Sequence, residues 1–244
     1  MDRASADVVI VCGGLGTRLR SVLHGLPKSM APINGHPFLD LIVDHVLAHG
    51  FRRIIFCTGY YGDRIAEHFG HRTDFEPIMS QENIPLGTAG ALRGCRFLLK
   101  TDTTLVLNGD SLCRFDLRDF LDAHQGRQAV ATIAVVPAND RTDGGGIVVD
   151  EEGRILAFHE KQAGQYLNAG IYAVRTSEID QFPESLPSSL ERDVFPQLTN
   201  GGLHSYVCRA PLFDIGTPAR LAEFRALQKK SAQVESSRAQ SMWA

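Results

Sequence analysis

Short runs of consecutive apolar residues alternate, through the first half of this chain, with segments whose apolar positions recur every three or four residues. The two textures predict strands and helices in turn. Residues 7–12 (DVVIVC) are β-branched at their centre and stop at glycines, the pattern of a strand buried on both faces. Residues 37–49 place Leu39, Ile42, Val43, Val46 and Leu47 on one helical face, with Pro37 suited to the first turn and Gly50 to the stop. Residues 53–58 (RIIFCT) predict a second strand and 62–69 a short helix closed by Gly70. A helix over 88–99, a strand over 103–107 and a helix over 116–124 capped by Asp116 follow. Strands and helices alternating at this spacing predict an α/β fold around a doubly wound, mostly parallel sheet.

The texture changes after Ala129. Strands are predicted over 129–136 and 166–174, and residues 147–149 and 154–158 flank Asp150-Glu151-Glu152-Gly153 as a hairpin. Ser188 with Glu191 reads as a capping box ahead of Val194 and Leu198. Thr217-Pro218 opens a last helix through Leu227, and the Ser/Gln-rich stretch 229–244 reads as a flexible polar tail. With no linker and no internal repeat, residues 7–228 are expected to form one domain.

Composition narrows the class by exclusion. The chain has 244 residues and a formal net charge of −3, with no Lys/Arg tract, so it lacks the footprint of a nucleic-acid binder. Its five cysteines lie far apart and make no CxxC, which fits buried thiols rather than a disulfide framework or zinc site. No apolar run has the length of a membrane span or a secretory signal, so a soluble cytoplasmic protein is expected, with a homodimer as the default assembly.

The sharpest chemistry follows the first strand: Cys12-Gly13-Gly14-Leu15-Gly16-Thr17-Arg18-Leu19-Arg20. Ligands of doubly wound sheets bind where loops leave the carboxyl ends of strands. Glycines there let backbone N–H groups reach phosphate oxygens without Cβ obstruction. A dinucleotide fingerprint is excluded because Leu19 stands at its third glycine, and a P-loop because Pro27 precedes Lys28-Ser29. A glycine turn followed by two cations, Arg18 and Lys28, is what remains. Asn108-Gly109-Asp110 also leaves the end of a predicted strand, and Asp110 suits Mg²⁺, which takes one or two carboxylates plus substrate phosphates. Asp214 is the second carboxylate of this kind.

In this order, GGLGTRLR…PK, Pro85-Leu86-Gly87-Thr88-Ala89-Gly90, Asn108-Gly109-Asp110, Glu160-Lys161, Asn168-Ala169-Gly170 and Phe213-Asp214-Ile215-Gly216-Thr217-Pro218 resemble the motifs of the sugar-1-phosphate nucleotidyltransferases. The resemblance covers about residues 7 to 228. It implies a Rossmann-like core with a small antiparallel sugar-binding subregion, joining a nucleoside triphosphate to a sugar 1-phosphate with release of pyrophosphate. A sugar 1-phosphate is already an anionic nucleophile, so positioning and charge neutralisation carry such a reaction.

Carried over position by position, Gly13, Gly14, Gly16, Thr17, Leu86, Gly87, Thr88, Asn108 and Asp110 line the nucleotide site. Arg18 contacts the triphosphate and Lys28 neutralises the reacting phosphate. By the same resemblance Asp214 joins Asp110 on the metal, Lys161 grips the sugar phosphate and Glu160 holds sugar hydroxyls. Gly109, Gly146, Asn168 and Gly170 are the remaining contacts on the sugar side. Ser21-Val22 and Ser29 depart from prolines frequent in the family; the first departure is shared with its heptose branch.

Glu82 stands where the family reads the base. A carboxylate can accept from both N1–H and the N2 amino group of guanine, whereas adenine offers it a bare acceptor. GTP is therefore expected, with UTP open. Within the family the residues most resemble the D-glycero-α-D-manno-heptose-1-phosphate guanylyltransferases. Mannose- and N-acetylmuramate-1-phosphate enzymes stay open as alternatives, as does a binding-only regulator.

Overall fold

A computed structural model describes residues 5–14, 16–23, 25–139, 146–159 and 164–241. The central sheet starts at β1 (Asp7–Val11). A short helix α1 (Arg20–Leu23) and a two-residue β-ribbon, β2 (Pro32–Ile33) and β3 (His36–Pro37), lead to α2 (Phe38–Ala48). Next come β4 (Arg53–Thr58), α3 (Gly62–Phe69), β5 (Glu76–Gln81), α4 (Gly87–Gly94) and β6 (Thr103–Asn108). β4 and β5 pair in parallel, as do β1 and β4, and β1 and β6. The spatial order is thus β5-β4-β1-β6, with β1 flanked by later strands on both sides. The chain reverses its direction of winding at β1, and that reversal opens a crevice beyond the carboxyl ends of β1 and β6.

The second half extends the same sheet. After β7 (Ser111–Cys113) and α5 (Leu117–Gly126) come β8 (Ala131–Pro137), β9 (Gly146–Val149), β10 (Ile155–His159) and β11 (Tyr166–Arg175). β11 runs antiparallel to β6, β8 and β9, and β9 and β10 form the expected antiparallel hairpin. The chain closes with a π-turn over Leu190–Val194, α6 (Phe195–Leu198), β12 (Leu203–Val207), β13 (Leu212–Asp214) and α7 (Pro218–Ser241).

Alternation along β1 builds a core on each face. Val8 and Ile10 pack with Phe38, Ile42 and Val46 of α2 and Phe120 of α5, while Val9 packs with Ile55, Val106 and Leu92 of α4. Each fully buried side chain of this size contributes about 1.5–3 kcal/mol relative to exposure. Asp116 caps α5, accepting from the backbone N–H groups of Arg118 (2.8 Å) and Asp119 (3.2 Å).

Three expectations are corrected. β5, absent from the sequence reading, is an edge strand, where Pro77 is tolerated because no neighbour requires its N–H. The cap of the 190–194 turn is Ser189, whose hydroxyl accepts from the N–H groups of Glu191 and Arg192. Ser188 instead offers its carbonyl to Ala89 N (3.0 Å) at the start of α4. Finally, α7 continues past Leu227 to Ser241, since residues 219–241 contain neither glycine nor proline and many strong helix formers. No described helix is long and apolar enough to cross a membrane.

Candidate active site

The crevice beyond β1 and β6 is a cleft of about 800 Å³. Gly13, Gly14, Gly16, Thr17, Lys28, Glu82, Gly87, Thr88, Asn108, Gly109 and Asp110 all line it. Backbone pairing holds the two strand ends together, Gly109 N donating to Val11 O at 2.9 Å. A shallower extension of about 290 Å³ adds Arg18 and Gly216 beside Gly14, Lys28 and Asp110.

The glycines of the turn serve different purposes. A Cβ on Gly14 would meet nothing within 4 Å, so its backbone lies open. Gly16 has φ +54°, and its carbonyl accepts from Leu19 N, starting the 3₁₀ turn that carries Thr17 and Arg18. A Cβ on Gly13 would strike the carboxylate of Glu82, and one on Gly59 would lie 3.2 Å from the same Oε1. Gly13 therefore makes room for an acidic side chain, a need not visible in the glycine pattern. Burial pushes the Glu82 carboxyl above the ordinary 4.5, opposed by a hydrogen bond from Leu86 N to Oε2 at 3.3 Å.

Pro27 is extended (φ −62°, ψ 149°) and delivers Lys28 into the cleft. The Lys28 ammonium forms an ion pair with Asp110, whose other oxygen accepts from Ser111 Oγ at 3.1 Å. Asp214 lines a neighbouring hollow with Arg220 and Phe224 rather than the cleft wall, and a two-stranded ladder ties it to the Asp110 turn: β13 pairs with β7, Asp214 opposite Ser111, and Ile215 N donates to Asp110 O at 3.1 Å. The Asp214 carboxylate accepts from Gly216 N and pairs with Arg220 at 3.0 Å. Both carboxylates are about one-third exposed and each already faces a cation. Arg220 was not singled out in the sequence. Its signal is a cation in the first turn of α7, where the helix dipole disfavours positive charge unless an anion compensates it.

On the far side, Gly170 adopts φ +73°, with a shift in the β8–β11 register between Asn168 and Tyr172. Asn168 Oδ1 accepts from Gly170 N at 2.9 Å and so braces this bulge. Gly146, Asn168 and Gly170 are not in the cleft wall; Gly170 packs against Asn108, which is, and Asn168 connects to Asn108 through the Tyr172 hydroxyl. Leu86 also contributes through its backbone: its side chain lies over the glycines of α4, 3.1 Å from a Cβ built on Gly90. Glu160 and Lys161, together with Gly144 and Gly145, lie outside the described residues. Arg192, from the π-turn, lines the cleft and was missed because its turn carried no ligand motif.

A nucleotidyl transferase is the class of protein that this fold and cleft define. The nucleotidyl transferase family matches residues 7–231, and the chain belongs to it. Mannose-1-phosphate guanylyltransferase of Mycobacterium tuberculosis (strain ATCC 25618 / H37Rv) is 35% identical over 220 residues, which are 87% of this chain and 61% of that longer protein. D-glycero-alpha-D-manno-heptose 1-phosphate guanylyltransferase of Aneurinibacillus thermoaerophilus is 32% identical over 228 residues, covering 92% of this chain and 97% of the relative. Among solved structures, HddC from Yersinia pseudotuberculosis is similar with a TM-score of 0.81 and 30% identity, covering 91% of this chain and 99% of that one. A second HddC structure, complexed with GMP-PN, gives the same values.

Proposed function

We propose that this protein transfers the guanylyl group of GTP to D-glycero-α-D-manno-heptose 1-phosphate, giving the GDP-sugar and pyrophosphate. The observation that carries the reading is one cleft in which the open glycine turn, Lys28, Asp110 and Glu82 converge at the sheet's switch point. An oxygen of the sugar phosphate attacks the α-phosphorus of GTP, a P–O bond forms, and the bond to pyrophosphate breaks. The nucleophile is already anionic and no general base is required; alignment and charge neutralisation lower the barrier.

In this reading the backbone at Gly13, Gly14 and Gly16, with Thr17 and Arg18, receives the triphosphate. Lys28 neutralises charge at the reacting phosphate, and Glu82 accepts from guanine N1–H and N2–H. Gly87 and Thr88 complete the wall against the base, with Leu86 packed behind them on α4. Asn108 Oδ1, buried with no hydrogen-bond partner among the described residues, is completed by a substrate hydroxyl. Gly109, Gly146, Glu160, Lys161, Asn168 and Gly170 receive the sugar 1-phosphate.

Asp110 and Asp214 would hold Mg²⁺. Two hard carboxylates, Asp110 in the turn before β7 and Asp214 on the paired β13, match an ion that completes its shell with phosphate oxygens and water. The ion supplies charge neutralisation across the phosphates when bound.

Mannose 1-phosphate is the second reading, favoured by the 35% identity to the mycobacterial relative. Heptose is preferred because the heptose 1-phosphate guanylyltransferases match over nearly their whole length. The test is pyrophosphate release across GTP, UTP, dTTP and ATP, each with heptose, mannose and glucose 1-phosphates. GTP with the heptose phosphate should give the highest kcat/KM. Equal or better use of UTP or dTTP overturns the base assignment, and preference for mannose 1-phosphate overturns the sugar.

A further inference from the structure

Glu191 belongs to none of the ligand motifs and is absent from the cleft wall, yet three donors converge on its carboxylate. Oε2 accepts from Ser189 Oγ at 2.7 Å and from Thr88 Oγ1 at 3.0 Å. Oε1 accepts from the Tyr172 hydroxyl at 2.9 Å. Tyr172 is fully buried, and its hydroxyl also receives the side-chain amides of Asn168 (2.9 Å) and Asn108 (3.3 Å). Burial and the neighbouring Glu191 carboxylate push the phenol well above its ordinary 10, so it remains a donor.

A phenolic hydroxyl has one proton and two lone pairs. With the proton committed to Glu191, both lone pairs are left for the two asparagine amides, and the orientation of each amide is set. Asn168 is thereby turned with Oδ1 toward Gly170 N, the contact that braces the bulge. At the other end of the same carboxylate, Thr88 Oγ1 accepts from Leu190 N at 2.8 Å, tying the first turn of α4 to the 190–194 turn. One part-buried acceptor therefore fixes a nucleotide-side residue, Thr88, and through Tyr172 both a sugar-side residue, Asn168, and the nucleotide-side Asn108. An apolar side chain here would leave the buried Tyr172 hydroxyl, and the part-buried hydroxyls of Thr88 and Ser189, to find other acceptors.

We propose that Glu191 is a positioning residue that couples the nucleotide and sugar-phosphate halves of the cleft through the Tyr172 hydroxyl. The proposal rests on the guanylyltransferase reading for what fills each half.

Tyr172→Phe is the test variant, because it keeps the ring and deletes only the hydroxyl. The substrates are the pair that the wild-type protein turns over fastest, so a wrong substrate identity shows itself in the wild type and not in the variants. The KM for the sugar 1-phosphate should rise about tenfold, with a smaller rise, through the weaker 3.3 Å contact to Asn108, in the KM for the nucleotide. Thr88→Val should show the reverse pattern, and Glu191→Gln should raise both KM values. Circular dichroism and melting temperature are recorded for each variant. Wild-type KM and kcat in Tyr172→Phe and Glu191→Gln, whatever their melting temperatures, reduce the network to a structural role and overturn the proposal. A Tyr172→Phe change confined to the nucleotide overturns it as well.

Discussion

Replacing Glu82 by Gln removes one charge at the residue proposed to read guanine while keeping the side chain's size. In the folded protein the carboxylate lies against the backbone of Gly13 and Gly59, half-buried, and among the described residues accepts one hydrogen bond, from Leu86 N to Oε2 at 3.3 Å. Lone pairs thus remain for the two adjacent donors of guanine. A hydrogen bond to a charged group contributes about 1.5–3 kcal/mol. Glutamine retains one acceptor oxygen and turns an NH₂ group toward the second donor. The loss is therefore one charged bond plus a donor–donor conflict, about 3 kcal/mol, or about 10²-fold in kcat/KM for GTP. Inosine triphosphate, which has N1–H but no N2 amino group, provides the internal control. The wild type should use it about 10- to 10²-fold less well than GTP, and Glu82→Gln should compress that ratio to within about threefold. Pyrophosphate release at sub-saturating nucleotide and saturating sugar 1-phosphate measures both ratios. An unchanged GTP-to-ITP ratio in the variant would refute base reading by Glu82, even if its absolute activity had fallen.

The same residue sets a pH dependence. Burial raises the Glu82 carboxyl above 4.5 in the free protein, and guanine binds its ionised form, so GTP affinity should fall as pH drops through the raised value, approaching tenfold per unit below it. Titration calorimetry with GTP across the acidic range reads this slope; a Glu82→Gln variant that kept the slope would assign it to another group. Asp110→Asn leaves Lys28 without its ion pair and removes half of the proposed metal site, and turnover should drop about 10³-fold or more. Because the pair is part-exposed, stability should change by no more than about 1 kcal/mol, so a folded variant with full activity would remove the metal assignment.

The order and kind of the main elements were legible in the sequence because they depend on local patterns. Residues 53–58 and 62–69 form the strand and helix their periodicity predicts, and Asp116 caps its helix because the cap is a contact between near neighbours. The glycine turn, Lys28 after an extended Pro27, and Asp110 at the end of β6 were likewise marked by residue type and spacing. What the sequence could not determine arises between distant segments. β5 has the composition of a loop and becomes a strand because β4 offers it an open edge. A Cβ on Gly13 would overlap the carboxylate of Glu82, some seventy positions away, a conflict only the fold creates. Asp214 is tied to the Asp110 turn only through the β7–β13 ladder, and Glu191 acquires two of its three donors, Thr88 and Tyr172, only when α4, β11 and the 190–194 turn meet. Helical and strand periodicity is written into each segment by its own side chains, whereas a shared volume or a buried acceptor is a property of two or more segments together, and only folding brings them into contact.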